Sequence, residues 1–231
     1  MTPPSAVRPV VTFDLFSALT DTRRGASATF TGIASERGWP VSGEHLYDVW
    51  DRLNKQAQAR ALPGTTFREL SRSALAAAYA ELGLTADPAA DLDRLWRAAP
   101  DWPLWPDAEA GVRAVAEQAE VGILSNVDDE LVVTTRAYPL VDPRRLLTSQ
   151  RLGAYKPSPE IYRRARDAAP GLVHVAASAR DVRGALEAGI PTIRLIRDGH
   201  RLDPDGPAPD VEVTDARDLP DAVARIGHSR S

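Results

Sequence analysis

Short apolar runs that alternate with helical segments are the feature that most restricts how this chain can fold. The apolar runs lie at 10–13, 121–124, 172–176, 192–196 and 211–213. Helical patterns fill the intervals between the later runs, at 107–119, 128–136, 158–169, 181–188 and 216–226. Runs of this length separated by helices are typical of parallel strands with helices on both faces. We therefore predict an α/β fold built on a doubly wound parallel sheet.

The interval 22–100 breaks this alternation. Helices are predicted around 26–37, 43–60, 66–81 and 89–98, with no convincing strand between them. Apolar residues such as Trp50, Leu53 and Ala57 recur there at helical spacing. We predict two domains: a core domain of residues 1–21 and 101–231, and a helical cap domain of residues 22–100 inserted after the first strand.

The composition is that of a globular protein and argues against several classes. Of the 231 residues, 43% are hydrophobic, which supports a large core. The 28 basic residues are outnumbered by 32 acidic ones and form no basic stripe, so we expect no nucleic-acid partner. The chain has no cysteine, which excludes disulfides and a thiol nucleophile. No signal-peptide or membrane-spanning run is visible, so we expect a soluble, cytoplasmic protein with a small-molecule substrate. Monomer and homodimer both stay open.

Polar residues stand in four separate loops, three of which follow predicted strands. They are Asp14, the pair Ser125 and Asn126, Lys156, and the pair Ser178 and Asp181. Because sites in parallel sheets form at the carboxyl ends of strands, these loops can converge. Taken singly, each residue also fits a turn, a helix cap or a solvated lysine. The occurrence of all four in this order favours a functional site.

These motifs resemble those of the haloacid dehalogenase (HAD) superfamily, whose four motifs match Asp14, Ser125, Lys156 and Asp181 in order. The stretch FDLFSALTD is similar to the FDAYGTLFD opening of L-2-haloacid dehalogenases, and ILSN is similar to their second motif. KPSPEIY resembles their KPxPxVY form and aligns Tyr162 with the family tyrosine. The resemblance implies a Rossmann-like core, with the helical block in the position of the family's cap.

The resemblance also implies a mechanism for the core residues. Asp14 would attack the substrate α-carbon and form an ester that water then hydrolyses. Ser125 and Asn126 would bind the substrate carboxylate, while Lys156 would neutralise and orient Asp14 without a metal. Asp181 would position Lys156 or the water.

Further residues receive roles from the same resemblance. Ser178 falls where dehalogenases carry an asparagine, and Phe16 fits a partly apolar pocket for a carbon skeleton. Ser17 can supply a hydroxyl beside the nucleophile, where the family has a threonine one position later. Arg60 in QARAL is the positional candidate for the family's cap arginine near the leaving halide, and a surface role for it stays open.

Two positions separate dehalogenase from phosphatase chemistry. A HAD phosphatase needs an acid two positions after the nucleophile, and this chain has Phe16 there. It also needs a carboxylate metal ligand in the fourth motif, where this chain has Ala177. We therefore expect no cofactor, with Mg²⁺ retained only under the phosphatase alternative. The scattered histidines show no metal-ligand spacing, and His174 is assigned to the core.

Departures from the dehalogenase motifs keep a further alternative open. The family's Gly-Thr is Ser17-Ala18 here, and its Ser-Ser-Asn is Ala176-Ala177-Ser178. Both changes remove polar side chains from the network around the nucleophile and the water that hydrolyses its ester. The chain could therefore also be a HAD-fold binding or regulatory protein whose catalysis has decayed.

Overall fold

One six-stranded sheet forms the centre of the structure. The computed structural model describes residues 8–228, so residues 1–7 and 229–231 of the predicted core domain lie outside the described residues. The strands are β1 (Val10–Phe13), β2 (Glu120–Ser125), β3 (Leu146–Thr148), β4 (Val173–Ala176), β5 (Thr192–Leu195) and β6 (Val211–Val213). They lie in the order β3-β2-β1-β4-β5-β6, and every neighbouring pair is parallel. The predicted α/β class and doubly wound parallel sheet are confirmed.

Helices cover both faces of this sheet. They are α5 (Ala108–Ala116), α6 (Asp129–Val132), α7 (Ser149–Leu152), α8 (Pro159–Ala168), α9 (Ala179–Glu187) and α10 (Leu219–His228). Successive strand residues point to opposite faces. Ile123 accordingly belongs to the hydrophobic cluster of α5 and α10, whereas Leu124 belongs to that of α8 and α9. The sheet is therefore buried on both sides, as its continuous apolar runs predict.

The helix predicted at 128–136 is shorter than expected. Only Asp129–Val132 is α-helical, because the β-branched residues that follow are poor helix formers. The hydroxyls of Thr134 and Thr135 donate instead to the carbonyl oxygens of Leu131 and Val132. The chain therefore leaves the helix after one turn.

Four further helices occupy the interval in which the sequence predicts a cap. They are α1 (Thr22–Arg37), α2 (Gly43–Ala59), α3 (Phe67–Glu81) and α4 (Pro88–Arg97). Each begins at a side chain that accepts a backbone N–H of the first turn, in chain order Asp21, Ser42, Thr66 and Asp87. Phe30 of α1 packs edge-to-face on Trp50 of α2, with ring centroids 5.8 Å apart. The division into a core domain and a cap domain stays a proposal.

The sheet order reverses between β1 and β4, and this reversal fixes where a site can form. The register pairs Phe13 at the end of β1 with Ile123 of β2 on one side and Val175 of β4 on the other. The residues that follow these three strands therefore emerge next to each other at the carboxyl edge. Such a reversal is the position at which open parallel sheets bind ligands. Among residues 8–228, no helix is long and apolar enough to span a bilayer.

Candidate active site

Asp14 is held at the end of β1 with both carboxylate oxygens engaged. Its Oδ2 accepts hydrogen bonds from the backbone N–H of Ser17 at 3.0 Å and from the Ser17 hydroxyl at 2.5 Å. These bonds form because Asp14 caps a π-helical turn, Leu15–Leu19, that the sequence pattern does not predict. Its Oδ1 accepts from the Ser125 hydroxyl and from the Lys156 ammonium, each at 3.0 Å. The carboxylate is therefore fixed from both sides.

Lys156 lies between two carboxylates. Its Nζ is 3.0 Å from Asp14 Oδ1 and 2.5 Å from Asp181 Oδ2, and the residue is only 3% exposed. Asn126 fixes its backbone, since Asn126 Oδ1 accepts from Lys156 N at 2.7 Å and Asn126 Nδ2 donates to Lys156 O at 3.0 Å. An ammonium held in this way has little freedom to leave the two acids.

A second layer of hydrogen bonds orients Asp181. The Tyr162 hydroxyl donates to Asp181 Oδ1 at 2.8 Å, and His174 Nε2 lies 3.2 Å from Asp181 Oδ2. The other ring nitrogen of His174 lies 3.0 Å from the Thr12 hydroxyl. Sequence reasoning assigned His174 to the core and missed this contact with Asp181. The available signal was a pair of polar residues, Thr12 and His174, in register on two otherwise apolar strands.

The buried charges shift each other's pKa values. Burial by itself raises the pKa of Asp181, but the Lys156 ammonium and His174 outweigh it and hold that pKa well below its usual range. Burial likewise opposes ionisation of Asp14. The Lys156 ammonium and the Ser17 hydroxyl nevertheless lower the pKa of Asp14, against the repulsion of Asp181. Both acids are therefore ionised at neutral pH.

A pocket of about 760 Å³ opens above these residues. Its sheet side includes, besides the acids and Lys156, the predicted residues Phe16, Ser17, Ser125, Asn126 and Ser178. Its other side is formed by α1 and α2. Phe16 is half-buried and stacks on Phe67, with centroids 6.1 Å apart, so an aromatic wall stands next to the nucleophile position.

Two predicted substrate-binding residues do not line this pocket. Arg60 is the exposed residue that follows the end of α2. Tyr162 is fully buried, and its hydroxyl contacts the Asp181 carboxylate. That these two side chains bind substrate stays a prediction, and neither is among the residues that line the pocket.

Arg180, in the first turn of α9, lines the pocket, and the sequence analysis did not single it out. Its Nη2 donates to Gln58 Oε1 at 2.7 Å, and Nη1 lies 3.5 Å from the Lys55 carbonyl oxygen. Both partners are neutral, and no carboxylate among residues 8–228 pairs with this guanidinium. Gln58 Oε1 also accepts from Asn126 Nδ2 at 2.8 Å, so α2 and the sheet meet here.

The donor set does not fit a divalent metal ion. Asp14 and Asp181 already share the Lys156 ammonium, while Phe16 and Ala177 carry no ligand atom at the positions where a HAD phosphatase has acids. Among residues 8–228, no three or more histidine, aspartate or glutamate side chains are grouped so that they could hold a metal.

Several solved structures share this architecture. No family model matches the sequence, and no curated protein sequence matches it. An L-2-haloacid dehalogenase is 26% identical with a TM-score of 0.77, over 95% of this chain and 100% of that one. The L-2-haloacid dehalogenase from Xanthobacter autotrophicus is 25% identical with a TM-score of 0.78, over 94% and 98%. A defluorinating L-2-haloacid dehalogenase is 25% identical with a TM-score of 0.78, over 94% and 95%.

Two observations agree with one another. The four motif residues lie at the switch point of the sheet, and the matches extend over nearly the whole length of both chains. The chain is therefore similar over nearly its whole length to L-2-haloacid dehalogenases, and these matches support an enzyme of the haloacid dehalogenase superfamily.

Proposed function

We propose that this enzyme is a metal-independent hydrolase that displaces a halide from the α-carbon of a small 2-substituted carboxylate, through an ester on Asp14. The observation that carries the proposal is the Lys156 ammonium between Asp14 and Asp181, with Phe16 where a phosphatase has its acid. Halide leaves as a stable anion, so no side chain has to protonate it. The Lys156 ammonium is then sufficient, without a metal ion, to hold Asp14 and Asp181 together.

In the first step a carboxylate oxygen of Asp14 attacks the α-carbon. The new C–O bond forms as the carbon–halogen bond breaks, and the halide leaves with the bonding electrons. The low pKa of Asp14 keeps the nucleophile ionised, and hydrogen bonds from Ser17 and Ser125 hold it in one orientation. Phe16 offers an apolar surface to the carbon skeleton.

In the second step water attacks the carbonyl carbon of the Asp14 ester. The tetrahedral oxyanion is stabilised by donors already aimed at the carboxylate, the Ser17 N–H and the Lys156 ammonium. The hydroxy acid leaves with one proton of the water, the second proton passes to Asp181 and on to solvent, and Asp14 regains a carboxylate that contains one oxygen of the water. Tyr162 and His174 orient Asp181 for this step.

The substrate carboxylate is assigned to Arg180 and Ser178. The guanidinium of Arg180 contacts only neutral oxygens of the described residues and faces the pocket, so it can accept an anion. Ser178 begins α9 without using its hydroxyl as a cap, which leaves that hydroxyl for the substrate. The side chains of Ser125 and Asn126, to which the family resemblance gives this role, are already engaged by Asp14, Gln58 and Lys156.

This assignment predicts a KM effect for Arg180→Gln. We expect KM for a 2-haloacid to rise about 10-fold to 100-fold, with a smaller change in kcat, because a charged hydrogen bond to substrate is lost. The matched control is Arg183→Gln in the same helix, whose guanidinium pairs with Glu187 and Asp203 outside this pocket. Equal KM values for Arg180→Gln and Arg183→Gln would remove Arg180 from substrate binding.

Labelled water tests the mechanism itself. A single turnover of excess enzyme with 2-chloropropionate in H₂¹⁸O, with and without chelator, should place one label in the peptide that contains Asp14. Halide release should be unaffected by the chelator and abolished in Asp14→Asn. Label found only in the product, or turnover of phosphate esters stimulated by Mg²⁺, would contradict the proposal. The absence of any turnover that depends on Asp14 would instead favour a binding protein with decayed catalysis.

A further inference from the structure

The pocket extends along α2 far beyond the reacting carboxylate. Gln58, Asn54, Asp51 and Tyr47 line it from successive turns of one helix face. At a rise of about 1.5 Å per residue these four positions span roughly 16 Å. A volume of about 760 Å³ lies in the range that whole drug-sized ligands occupy, so a three-carbon acid would leave most of it unused.

One side of the pocket is aromatic. Phe16 stacks on Phe67, and Phe67 stacks on Trp96, with centroids 6.1 Å apart and an interplanar angle of 5°. Trp102 meets Phe16 edge-on at 6.2 Å. All four rings line the pocket. A wall of this kind next to Asp14 suits a ring on the substrate's side chain, since offset and edge-on ring contacts are favourable.

Buried polar atoms without protein partners are concentrated along the same pocket. Among residues 8–228, six buried side-chain polar atoms have no hydrogen-bond partner, and four of them belong to pocket-lining residues. These are the hydroxyls of Thr20 and Ser27, Asn54 Oδ1 and Trp102 Nε1. Native proteins pair nearly all their buried polar groups. The concentration here points to a ligand that brings a hydrogen-bonding group of its own.

Asn54 is the residue best placed to receive that group. It is 4% exposed, its Oδ1 is unpartnered, and it lies one helical turn from Gln58, which contacts Asn126 and Arg180. That spacing puts it about 6 Å along the helix from Gln58, whose side chain contacts Arg180 of the assigned carboxylate site. A group at Asn54 is therefore attached to the far end of a substituent of about one ring in length.

The acidic residues that precede Asn54 on α2 are paired within the protein. Asp51 pairs with Lys55 at 2.5 Å, and Asp48 pairs with Arg23 at 2.9 Å. A charged distal group would have to disrupt these pairs, whereas a neutral one would not. We infer that the substrate is a 2-substituted acid whose side chain carries an aromatic ring and, beyond it, a neutral hydrogen-bonding group such as a phenolic hydroxyl. This inference rests on the proposed function.

A series of three acids tests the inference on the unaltered enzyme. We expect kcat/KM to rise about tenfold from 2-chloropropionate to 2-chloro-3-phenylpropionate. A further rise of about fivefold is expected for 2-chloro-3-(4-hydroxyphenyl)propionate, the size of one net hydrogen bond. Equal or lower kcat/KM for the aryl acids would overturn the inference, and so would a hydroxyl that adds nothing.

The variant Asn54→Leu locates the effect. It should abolish the preference for the hydroxyl, so that the phenyl acid and the hydroxyphenyl acid have equal kcat/KM. The matched control is Gln56→Leu, an exposed position of the same helix outside the pocket, which should retain the preference. Thermal unfolding of both variants shows whether they fold, and the wild-type series decides the inference if Asn54→Leu does not.

Binding of unreactive acids separates this inference from the proposed chemistry. Calorimetry with 3-phenylpropionate and 3-(4-hydroxyphenyl)propionate should give about fivefold tighter binding of the hydroxylated acid to the wild type. Such binding without dehalogenation of any 2-chloro acid would support the inference and remove the dehalogenase proposal. Dehalogenation of 2-chloropropionate alone, with equal binding of the two unreactive acids, would support the dehalogenase proposal and overturn the inference about the side chain.

Discussion

At the scale of single residues, the Lys156 ammonium is the cation that lies between two carboxylates. It contacts Asp14 and Asp181 while almost fully buried, and both acids have lowered pKa values because of it. A buried charge pair is stable only when its remaining donors and acceptors are satisfied. Ser17, Tyr162 and His174 meet that requirement, so the three charges form one unit with their neighbours.

Lys156→Met should therefore affect more than one property. We expect kcat/KM to fall by about 10²-fold to 10³-fold or more, because a donor to the reacting carboxylate is lost. The acid limb of the pH profile should also move upwards, since Lys156 is the main group that lowers the pKa of Asp14. Arg163→Met, an exposed position on α8, is the control. An unchanged acid limb in an active Lys156→Met protein would show that Lys156 does not set the ionisation of Asp14.

His174 is predicted to be a positioning residue that acts through Asp181. His174→Leu should lower the free energy of unfolding by about 1–3 kcal/mol, because it leaves Asp181 and Thr12 short of a buried partner. It should lower kcat while leaving KM within about twofold. His174→Gln, which keeps a hydrogen-bonding group, should recover part of kcat. Loss of stability with kcat unchanged would leave His174 a structural role only.

At the scale of elements, what the sequence could predict depends on the range of the signal. The parallel strands other than β3, and the helix α8, follow from local apolar patterns, and three of the four polar loops follow from strand ends. Strand β3 did not stand out because its two leucines favour a helix at least as much as a strand, whereas the equally short β6 has the alternating Val-Glu-Val pattern. Arg180 could not be recognised as a pocket residue because its partner Gln58 lies 122 positions away, whereas Arg60 was chosen on sequence position alone.

Asp128 connects the loop after β2 to the start of α3. Its two carboxylate oxygens accept the backbone N–H groups of Phe67 and Arg68, each at 2.9 Å, and the residue is 3% exposed. Asp128→Ala should lower the free energy of unfolding by about 1–2 kcal/mol, as loss of a helix cap does. Urea unfolding measures this. Glu130→Ala should change it little, because its contact with Arg68 is exposed and 3.4 Å long.

At the scale of the whole molecule, the active-site charges differ from most other ion pairs in their burial. Surface pairs such as Arg217–Asp215 are solvated and screened by salt. Asp14, Lys156 and Asp181 are all at least nine-tenths buried at the switch point of the sheet. The free energy of these three groups is therefore coupled to folding of the whole sheet, and protonation of one of them is felt as a loss of global stability.

This coupling predicts how stability depends on pH. Asp181 has a lowered pKa in the folded protein, so its contribution is fully present above its unfolded pKa, about 3.8, and is lost as pH falls through the folded value. At pH 7, Asp181→Asn should be less stable than the wild type by about 3–5 kcal/mol, because Lys156 loses a buried partner. Below pH 3.8 this difference should shrink, because Asp181 takes up a proton in the unfolded wild type while it stays ionised in the folded protein.

Urea titrations followed by tryptophan fluorescence between pH 3 and pH 8 measure the difference. The control is Asp215→Asn, whose exposed carboxylate has its pKa lowered to about 2 by Arg217 but stays solvated. The free energy of unfolding of Asp215→Asn should equal that of the wild type at every pH. Addition of 1 M salt should not increase the difference between these two proteins. A difference for Asp181→Asn that grows as pH falls would mean that the folded protein raises the pKa of Asp181. That result would contradict a stabilising charge pair between Asp181 and Lys156.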